Sequence, residues 1–181
     1  MTELEKAIIR AIAYFDIFDY PLSLIEVWKW LYRPDSHYAL SDVQEALAGL
    51  SDKIETKNGF YFLPASPDAS LSETGRMDLV AKRLQRYNLA EEKFKRAIKF
   101  IKIFRFFPFI KMIAVCNSLA YSNSSLEGDI DLFIISAKNR LWLARFLVVG
   151  FLKIFGVRPR LNNKQNTIDA NFFLAENYLS L

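Results

Sequence analysis

The apolar positions at the start of the chain repeat with helical spacing. Between Leu4 and Phe15 they recur every three or four residues, which predicts an amphipathic helix. The same spacing predicts a second helix over residues 22–31. Ser41 followed by Gln44 forms a capping-box pattern, which predicts the start of a third helix.

Short strands are predicted after these helices. Residues 54–57 and 60–63 flank the dipeptide Asn58–Gly59, which favours a type I′ hairpin turn because both of its positions adopt positive φ. Three helices followed by a β-hairpin resemble the winged-helix order, so we interpret residues 1–63 as a winged-helix-like domain. Residues 64–75 have the composition of a linker.

A long basic helix is predicted over residues 76–107, because Pro108 cannot continue it. Its apolar positions share one face and are Val80, Leu84, Tyr87, Ala90, Phe94, Ala97, Ile98 and Ile101. A neighbouring stripe is cationic and consists of Lys82, Arg86, Lys93 and Arg96. Two interpretations of this stripe stay open, namely a solvated helix face and a face that binds phosphate or nucleic acid.

Residues 108–181 have the pattern of a small domain in which strands and a helix alternate. The predicted strands cover 110–117, 129–136, 157–161 and 167–174, and the predicted helix covers 140–155. This order packs a helix on a mixed sheet. The chain as a whole is therefore predicted to be α+β.

Composition and charge exclude several classes of protein. Hydrophobic residues make up 52% of the chain and charged residues 24%, which is a globular balance. The apolar stretch around residues 141–157 is interrupted by Arg145 and Lys153, so it falls short of the roughly 20 residues that span a bilayer and no integral membrane association is expected. Cys116 is the only cysteine, which favours a cytoplasmic location. A single histidine, His37, makes a Ser-His-Asp triad or a zinc site improbable.

Two aspartates give the strongest chemical signal in the chain. Asp129 and Asp131 lie in a buried-strand pattern, where residues two apart share a face. Carboxylates this close repel each other, and a bound cation removes that penalty. Mg²⁺ (or Mn²⁺) is expected, because hard cations take oxygen ligands and bridge carboxylates to phosphates. Upstream, the turn Asn117–Ser118 can present backbone N–H groups and a hydroxyl to a phosphate.

Asn117-Ser118, ten intervening residues and Asp129-Ile130-Asp131-Leu132 resemble the signature of the DNA polymerase β-like nucleotidyltransferase superfamily. In that signature a Gly-Ser or Gly-Gly turn precedes Asp-x-Asp between apolar residues. The resemblance covers about residues 109–181. It implies a metal-dependent enzyme that transfers a nucleotidyl group from an NTP, expected to be ATP, to an acceptor.

The resemblance also implies roles for individual residues. Ser118 and its neighbour Asn117 would bind the triphosphate, and Asp129 and Asp131 would hold the metal. Members of the family usually add a third acid from a later strand, for which Asp169 is the best candidate. Of the basic stripe, Lys82 and Arg86 are the predicted nucleotide contacts. The acceptor, the preferred base and the oligomeric state are not indicated by the sequence.

The sequence departs from the family pattern at two positions. Asn117 stands in place of the family glycine, and Gly128 stands where a serine often precedes the first aspartate. Glycine permits a close backbone approach and positive φ, which asparagine only partly reproduces. A catalytically inactive, nucleotide-binding or regulatory module of the same fold is therefore an alternative.

A second alternative is a winged-helix DNA-binding regulator. The predicted recognition helix, residues 42–51, contains Asp42 and Glu45 but no Lys or Arg. Cationic contacts dominate affinity for DNA, so this helix is poorly suited to a phosphate-lined groove.

Overall fold

The computed structural model describes residues 1–64, 79–159 and 165–179. It is a mixed α+β structure with two small three-stranded sheets. The chain divides into two compact units, Met1–Leu84 and Gln85–Leu181. Among the described residues, no helix combines the length and the apolarity that crossing a bilayer requires.

The first unit contains three helices and an antiparallel sheet. The elements are α1 (Glu3–Asp16), β1 (Leu22–Ser23), α2 (Leu24–Lys29), α3 (Leu40–Gly49), β2 (Glu55–Lys57) and β3 (Phe60–Phe62). The strand order is β1-β3-β2. The predicted helices and hairpin are confirmed. Asn58 and Gly59 have φ values of 53° and 79°, as the predicted hairpin turn requires.

Two predicted helix starts in this unit were wrong. The chain at Leu22 and Ser23 pairs with β3, so α2 begins only at Leu24, where Ser23 caps it. Helix α3 begins at Leu40, ahead of the predicted cap Ser41. The backbone N–H of Ala39 donates to the Asp42 carboxylate at 2.8 Å, so Asp42 supplies the N-terminal capping contact.

A buried cation joins the end of the first unit to its core. Arg83 is 7% exposed and donates to Glu26 at 2.9 Å and to the hydroxyl of Tyr20. Its guanidinium also lies 3.7 Å from the centroid of the Tyr20 ring. Ion pairing and stacking together compensate the burial of the charge.

The second unit contains most of the long helix and a mixed sheet. Its elements are α4 (Leu79–Phe104, which begins in the first unit), β4 (Ile110–Val115), α5 (Asn117–Ala120), β5 (Ile130–Ser136), α6 (Leu141–Ile154) and β6 (Ile168–Ala175). The strand order is β4-β5-β6. Strand β5 pairs antiparallel with β4 and parallel with β6, so β5, α6 and β6 form a β-α-β unit.

Three of the four strands predicted here are confirmed, and the fourth differs. Residues 157–159 do not form a strand, and residues 160–161 lie outside the described part of the chain. Val157 accepts one backbone hydrogen bond, from Ile168 at 2.9 Å, but Pro159 has no N–H to continue a ladder. The predicted linker, apart from Pro64, also lies outside the described residues, as do the first three residues of the predicted long helix.

The core of the second unit lies between the sheet and two helices. Ile130, Leu132 and Ile134 alternate along β5 and are fully buried. Helices α4 and α6 contribute to the same cluster, with Ala90, Ala97, Phe104, Val148 and Leu152. Because strand side chains alternate between faces, the odd-numbered residues of β5 project away from this cluster.

The predicted apolar face of α4 was partly wrong. Leu84, Tyr87 and Ile98 are 46–48% exposed. Ala90 and Ala97 of the predicted face are buried, both at 0% exposure, and Lys93, which was predicted for the cationic stripe, is also buried, at 2%. The buried stripe is thus rotated toward two of the cations, Arg83 and Lys93.

Candidate metal centre

Three aspartates lie close together at the N-terminal ends of strands β5 and β6 in the second unit. Asp129 immediately precedes β5, Asp131 lies in β5, and Asp169 lies in β6. One carboxylate oxygen from each lies within 4.8 Å of the other two. Asp131 and Asp169 are direct partners in the parallel register of β5 and β6. Local alternation puts Asp129 and Asp131 on one face, and strand pairing brings Asp169 to them.

Burial and mutual repulsion act together on Asp131. Burial raises the pKa of this carboxyl and the negative charge of Asp129 raises it further, whereas a side-chain hydrogen bond with Asn117 lowers it. Burial disfavours the charged form of a carboxyl, as does a like charge nearby. The site therefore favours a proton or a cation at this position.

The pKa of Asp169 is raised for the same reasons. Burial is the largest cause, and the charges of Asp129 and Asp131 add to it. Arg158 and Arg145 act in the opposite direction. The positive charges of these two side chains therefore offset part of the repulsion at Asp169.

Metal binding is expected to strengthen as the pH rises through the acid range. The raised pKa values of Asp131 and Asp169 mean that protons compete with a cation until the pH exceeds both. The metal-free protein has the opposite dependence. Protonation of Asp131 and Asp169 stabilises the folded state, and this stabilisation is complete below the ordinary Asp pKa of 3.8. It is lost as the pH rises through the raised pKa values of the two carboxyls.

This pH dependence is measurable as the Mn²⁺ dissociation constant, followed by electron paramagnetic resonance between pH 4.5 and pH 7.5. We expect the constant to fall with increasing pH and then to level off. A dissociation constant that stays flat across the acid range would contradict the assignment of Mn²⁺ to these carboxylates.

The turn at Asn117 adjoins the three aspartates. The backbone N–H of Cys116 donates to the carbonyl of Asp131 at 3.1 Å, which continues the β4–β5 pairing to the start of α5. Asn117 has a φ of 57°, in the left-handed region that glycine and asparagine adopt most readily. Asn117 therefore adopts here a conformation that few other residue types adopt readily.

Ser118 and Arg86 are connected through one residue of the following loop. The carbonyl of Ser118 accepts from the backbone N–H of Asn123 at 2.9 Å. The side chain of Asn123 accepts from Arg86 at 3.0 Å. Lys82, in the first unit, pairs with Asp19 at 2.5 Å. The nucleotide contacts expected of Ser118, Arg86 and Lys82 stay predictions.

Lys93 is a site residue that sequence reasoning placed on the wrong face. It is 2% exposed, and its ammonium donates to the carbonyl oxygens of Ser125 and Gly128 at 2.5 Å and 2.6 Å. Burial lowers the pKa of Lys93, and the charge of Asp129 opposes this shift. Lys93 thus holds the loop residue that directly precedes Asp129.

A signal for this burial was present in the sequence. Lys93 lies three residues after Ala90 and four before Ala97, which is the spacing of a buried helix face. Gly128 fits the same arrangement, because a Cβ there would lie 3.0 Å from the Ser125 hydroxyl and 3.5 Å from the Lys93 ammonium. The loop is therefore closed tightly around this lysine, with little space for a side chain at position 128.

A cavity of about 350 Å³ opens beside Asp169. Lys153 and Arg158 line it together with Leu152, Gly156 and Pro159. Sequence reasoning did not select these two cations, although residues 137–159 contain five Lys or Arg and no acid. One carboxylate and two cations at the same cavity suit a ligand that carries phosphates and a divalent metal.

Comparison of the chain with family models, with curated proteins and with solved structures found no match.

Proposed function

We propose that the second unit is a metal-dependent nucleotidyltransferase domain, which transfers a nucleotidyl group from an NTP to an acceptor. The observation that carries the proposal is the approach of three carboxylate oxygens within 4.8 Å of one another. Two of these aspartates have raised pKa values in the metal-free protein. Carboxylates that repel one another in this way are stabilised by a cation bound between them.

The donor set fits Mg²⁺ or Mn²⁺. Asp129, Asp131 and Asp169 offer carboxylate oxygens only, which are the ligands of hard divalent cations. When bound, such an ion neutralises phosphate charge and polarises the phosphoryl group. The ladder between β5 and β6 sets the spacing of Asp131 and Asp169, and Asp129 directly precedes β5.

The chain's own residues supply the remaining functions of the site. Lys153 and Arg158, which line the cavity beside Asp169, would pair with phosphate oxygens of the NTP. Ser118 and the positive-φ turn at Asn117 would lie along the same phosphates, as in the related signature. In the reaction, an acceptor oxygen bonds to the α-phosphorus, the bond from that phosphorus to pyrophosphate breaks, and the acceptor proton is released to solvent.

We also propose a winged-helix-like architecture for the first unit, supported by three helices followed by the β2–β3 hairpin. Its third helix carries Asp42 and Glu45 and no cation. Protein docking or a scaffold role therefore suits it better than DNA binding, which depends on cationic contacts.

A second candidate function is nucleotide binding without turnover. The observation that favours it is Asn117, which stands in place of the glycine of the resembled signature and whose side chain lowers the pKa of Asp131. Tight binding of the Mn²⁺–NTP complex with no product would support this candidate.

The test combines purified protein, Mn²⁺ and α-labelled NTPs with a mixture of acceptors. We expect Asp131→Asn and Asp169→Asn each to lower turnover at least about a hundredfold, which corresponds to roughly 2.7 kcal/mol of barrier. Glu127→Gln is the matched control, because it removes an exposed carboxylate two residues from Asp129. Turnover that survives in both aspartate variants would refute the proposed site.

A further inference from the structure

Helix α6 is apolar on both of its faces. Its only polar side chains are those of Arg145 and Lys153. Ala144, Val148 and Leu152 are fully buried, and they account for the face that packs in the core. A helix that covers a sheet in a globular domain normally turns charged residues outward. The outer face of α6 does not, so we looked for a partner that this face fits.

The outer face of α6 carries a continuous apolar stripe. Trp142 is 78% exposed, Phe146 is 73% exposed and Ile154 is 82% exposed. Steps of four residues connect these positions through Gly150, so they lie along one side of the helix. Leu143, which is 45% exposed, lies beside them. Contiguous exposed apolar side chains of this kind mark an interaction site.

Cations border this stripe at both ends. Lys138 and Arg140 are exposed just before α6, and Lys153 is exposed in its last turn. The guanidinium of Arg140 lies 5.3 Å from the ring centroid of Phe109, so this charge stays at the start of the helix. Residues 137–159 contain five Lys or Arg and no Asp or Glu. The apolar stripe is therefore surrounded by positive potential.

Two carboxylates close to this segment have cations of their own. Glu176 accepts from the backbone N–H of residue 138, and it lies 3.9 Å from the ammonium of Lys111. Asp169 interacts with Arg145 and Arg158, whose charges lower its pKa. The exposed cations at the two ends of α6 therefore complement an anionic partner better than they complement these acids.

We propose that α6 lies in the interface of an anionic lipid bilayer. Trp142, Phe146 and Ile154 enter the upper part of the acyl layer, and the exposed cations at the two ends of the helix pair with lipid phosphates. The helix has 14 residues and is about 21 Å long, which is shorter than the roughly 30 Å of the hydrocarbon core. It therefore lies along the surface and does not cross the bilayer. This inference does not depend on the candidate metal centre.

The side chains of the stripe favour a lipid surface over two other partners. Leu143 and Ile154 are aliphatic, so they offer no ring on which the bases of a nucleic acid could stack. A second copy of the chain, related by a two-fold axis, would place the same cations opposite one another. Tryptophan is enriched at the headgroup level of membranes. The long stem of Lys153 lets its ammonium reach the headgroups while the helix is partly immersed.

The first test measures how the full chain partitions between buffer and sedimented vesicles. Vesicles of phosphatidylcholine are compared with vesicles in which about a third of the lipid is phosphatidylglycerol, and we expect at least about tenfold tighter binding to the anionic ones. Trp142→Ala/Phe146→Ala should weaken that binding by at least about tenfold. Ile17→Ala/Ile25→Ala is the matched control and should bind like wild type, because these side chains are 76% and 63% exposed in the first unit.

A second pair of variants tests the contribution of charge. Each cation near an anionic surface strengthens binding about fivefold, so Lys138→Gln/Arg140→Gln should weaken binding to the anionic vesicles by at least about tenfold. Binding to phosphatidylcholine should change little. Lys95→Gln removes an exposed cation of α4 and should have a smaller effect than either single substitution beside α6. Added salt should weaken the binding of wild type more than that of the double variant.

Tryptophan fluorescence tests whether the ring enters the acyl layer. The chain has three tryptophans, Trp28, Trp30 and Trp142, so Trp28→Phe/Trp30→Phe leaves Trp142 as the sole emitter. Anionic vesicles should shift its emission to shorter wavelength, and lipids brominated on the acyl chain should quench it. Vesicle binding without quenching would show adsorption by charge alone and would overturn the insertion of α6.

Other outcomes would also overturn the proposal. These are equal affinity for neutral and anionic vesicles, and equal losses in the first-unit control. A single-stranded oligonucleotide that binds through Trp142 and Phe146 when vesicles do not would assign the stripe to nucleic acid. A dimer that Trp142→Ala/Phe146→Ala dissociates, with no vesicle binding, would assign it to a second copy. Asp131→Asn should leave vesicle binding unchanged, so the metal centre and the lipid surface are tested separately.

Discussion

Replacing Asp131 or Asp169 by asparagine is expected to stabilise the metal-free protein while abolishing its stabilisation by Mn²⁺. Both carboxyls have raised pKa values because of burial and neighbouring negative charge, so a neutral amide of the same shape removes a repulsion. A gain of about 1 kcal/mol would raise the melting temperature by about 4–8 °C in a domain of this size. Wild-type protein should instead gain about 2.7 kcal/mol from Mn²⁺ at a hundred times its dissociation constant.

Calorimetry with and without Mn²⁺ measures both effects. Glu127→Gln removes a nearby exposed carboxylate that does not belong to the cluster, so it should leave the metal-free melting temperature and the Mn²⁺ shift nearly unchanged. An aspartate variant that melts lower without metal would show that repulsion does not destabilise the cluster. A variant that retains the full Mn²⁺ shift would show that the replaced carboxylate does not hold the metal. Sites that bind charge commonly show this opposition between stability and function.

Lys93→Met is expected to destabilise the second unit by about 2–3 kcal/mol and to weaken Mn²⁺ binding by about tenfold or more. The substitution removes the charged group that donates hydrogen bonds to the carbonyl oxygens of Ser125 and Gly128. The removal of a buried ammonium, whose pKa is lowered by burial, offsets part of the loss. Metal affinity falls because Gly128 directly precedes Asp129, whose position the loop controls.

A control variant that lowers stability to a similar extent separates the loss of stability from the loss of Mn²⁺ affinity. Phe104 is fully buried on the same helix, and Phe104→Leu should also lower stability through lost packing. It should keep Mn²⁺ affinity at temperatures well below unfolding, since Phe104 packs in the apolar cluster against the rings of Phe107 and Phe151. Denaturant unfolding and Mn²⁺ titration on both variants make the comparison. Equal losses of metal affinity would mean that Lys93 acts only through stability.

Local pattern alone was enough for much of the second unit. Alternating apolar residues in 129–136 predicted both the strand and the shared face of Asp129 and Asp131, and β5 is confirmed at Ile130–Ser136. The helix predicted over 140–155 is confirmed at Leu141–Ile154. Such features depend on neighbours within one turn or one pleat, so the sequence contains all the information that they need.

The approach of Asp169 to the other two aspartates needed the tertiary structure. Sequence order offered Asp169 only as a candidate, because strands joined by a long crossover are not neighbours along the chain, so no local pattern specifies which of their residues pair. The pairing of Asp131 with Asp169 is visible only in the folded β-α-β unit.

The burial of Lys93 had the same origin. The spacing of Lys93 matched a buried helix face, whereas its charge suggested a solvated face. Lys93 is buried because its ammonium donates to two carbonyl oxygens of a loop some thirty residues later in the chain. A buried cation is stable only where such partners exist. The sequence by itself determined most of the strands and helices and the paired aspartates. The folded chain decided which distant groups meet them, because burial of a charge depends on contacts that no local pattern specifies.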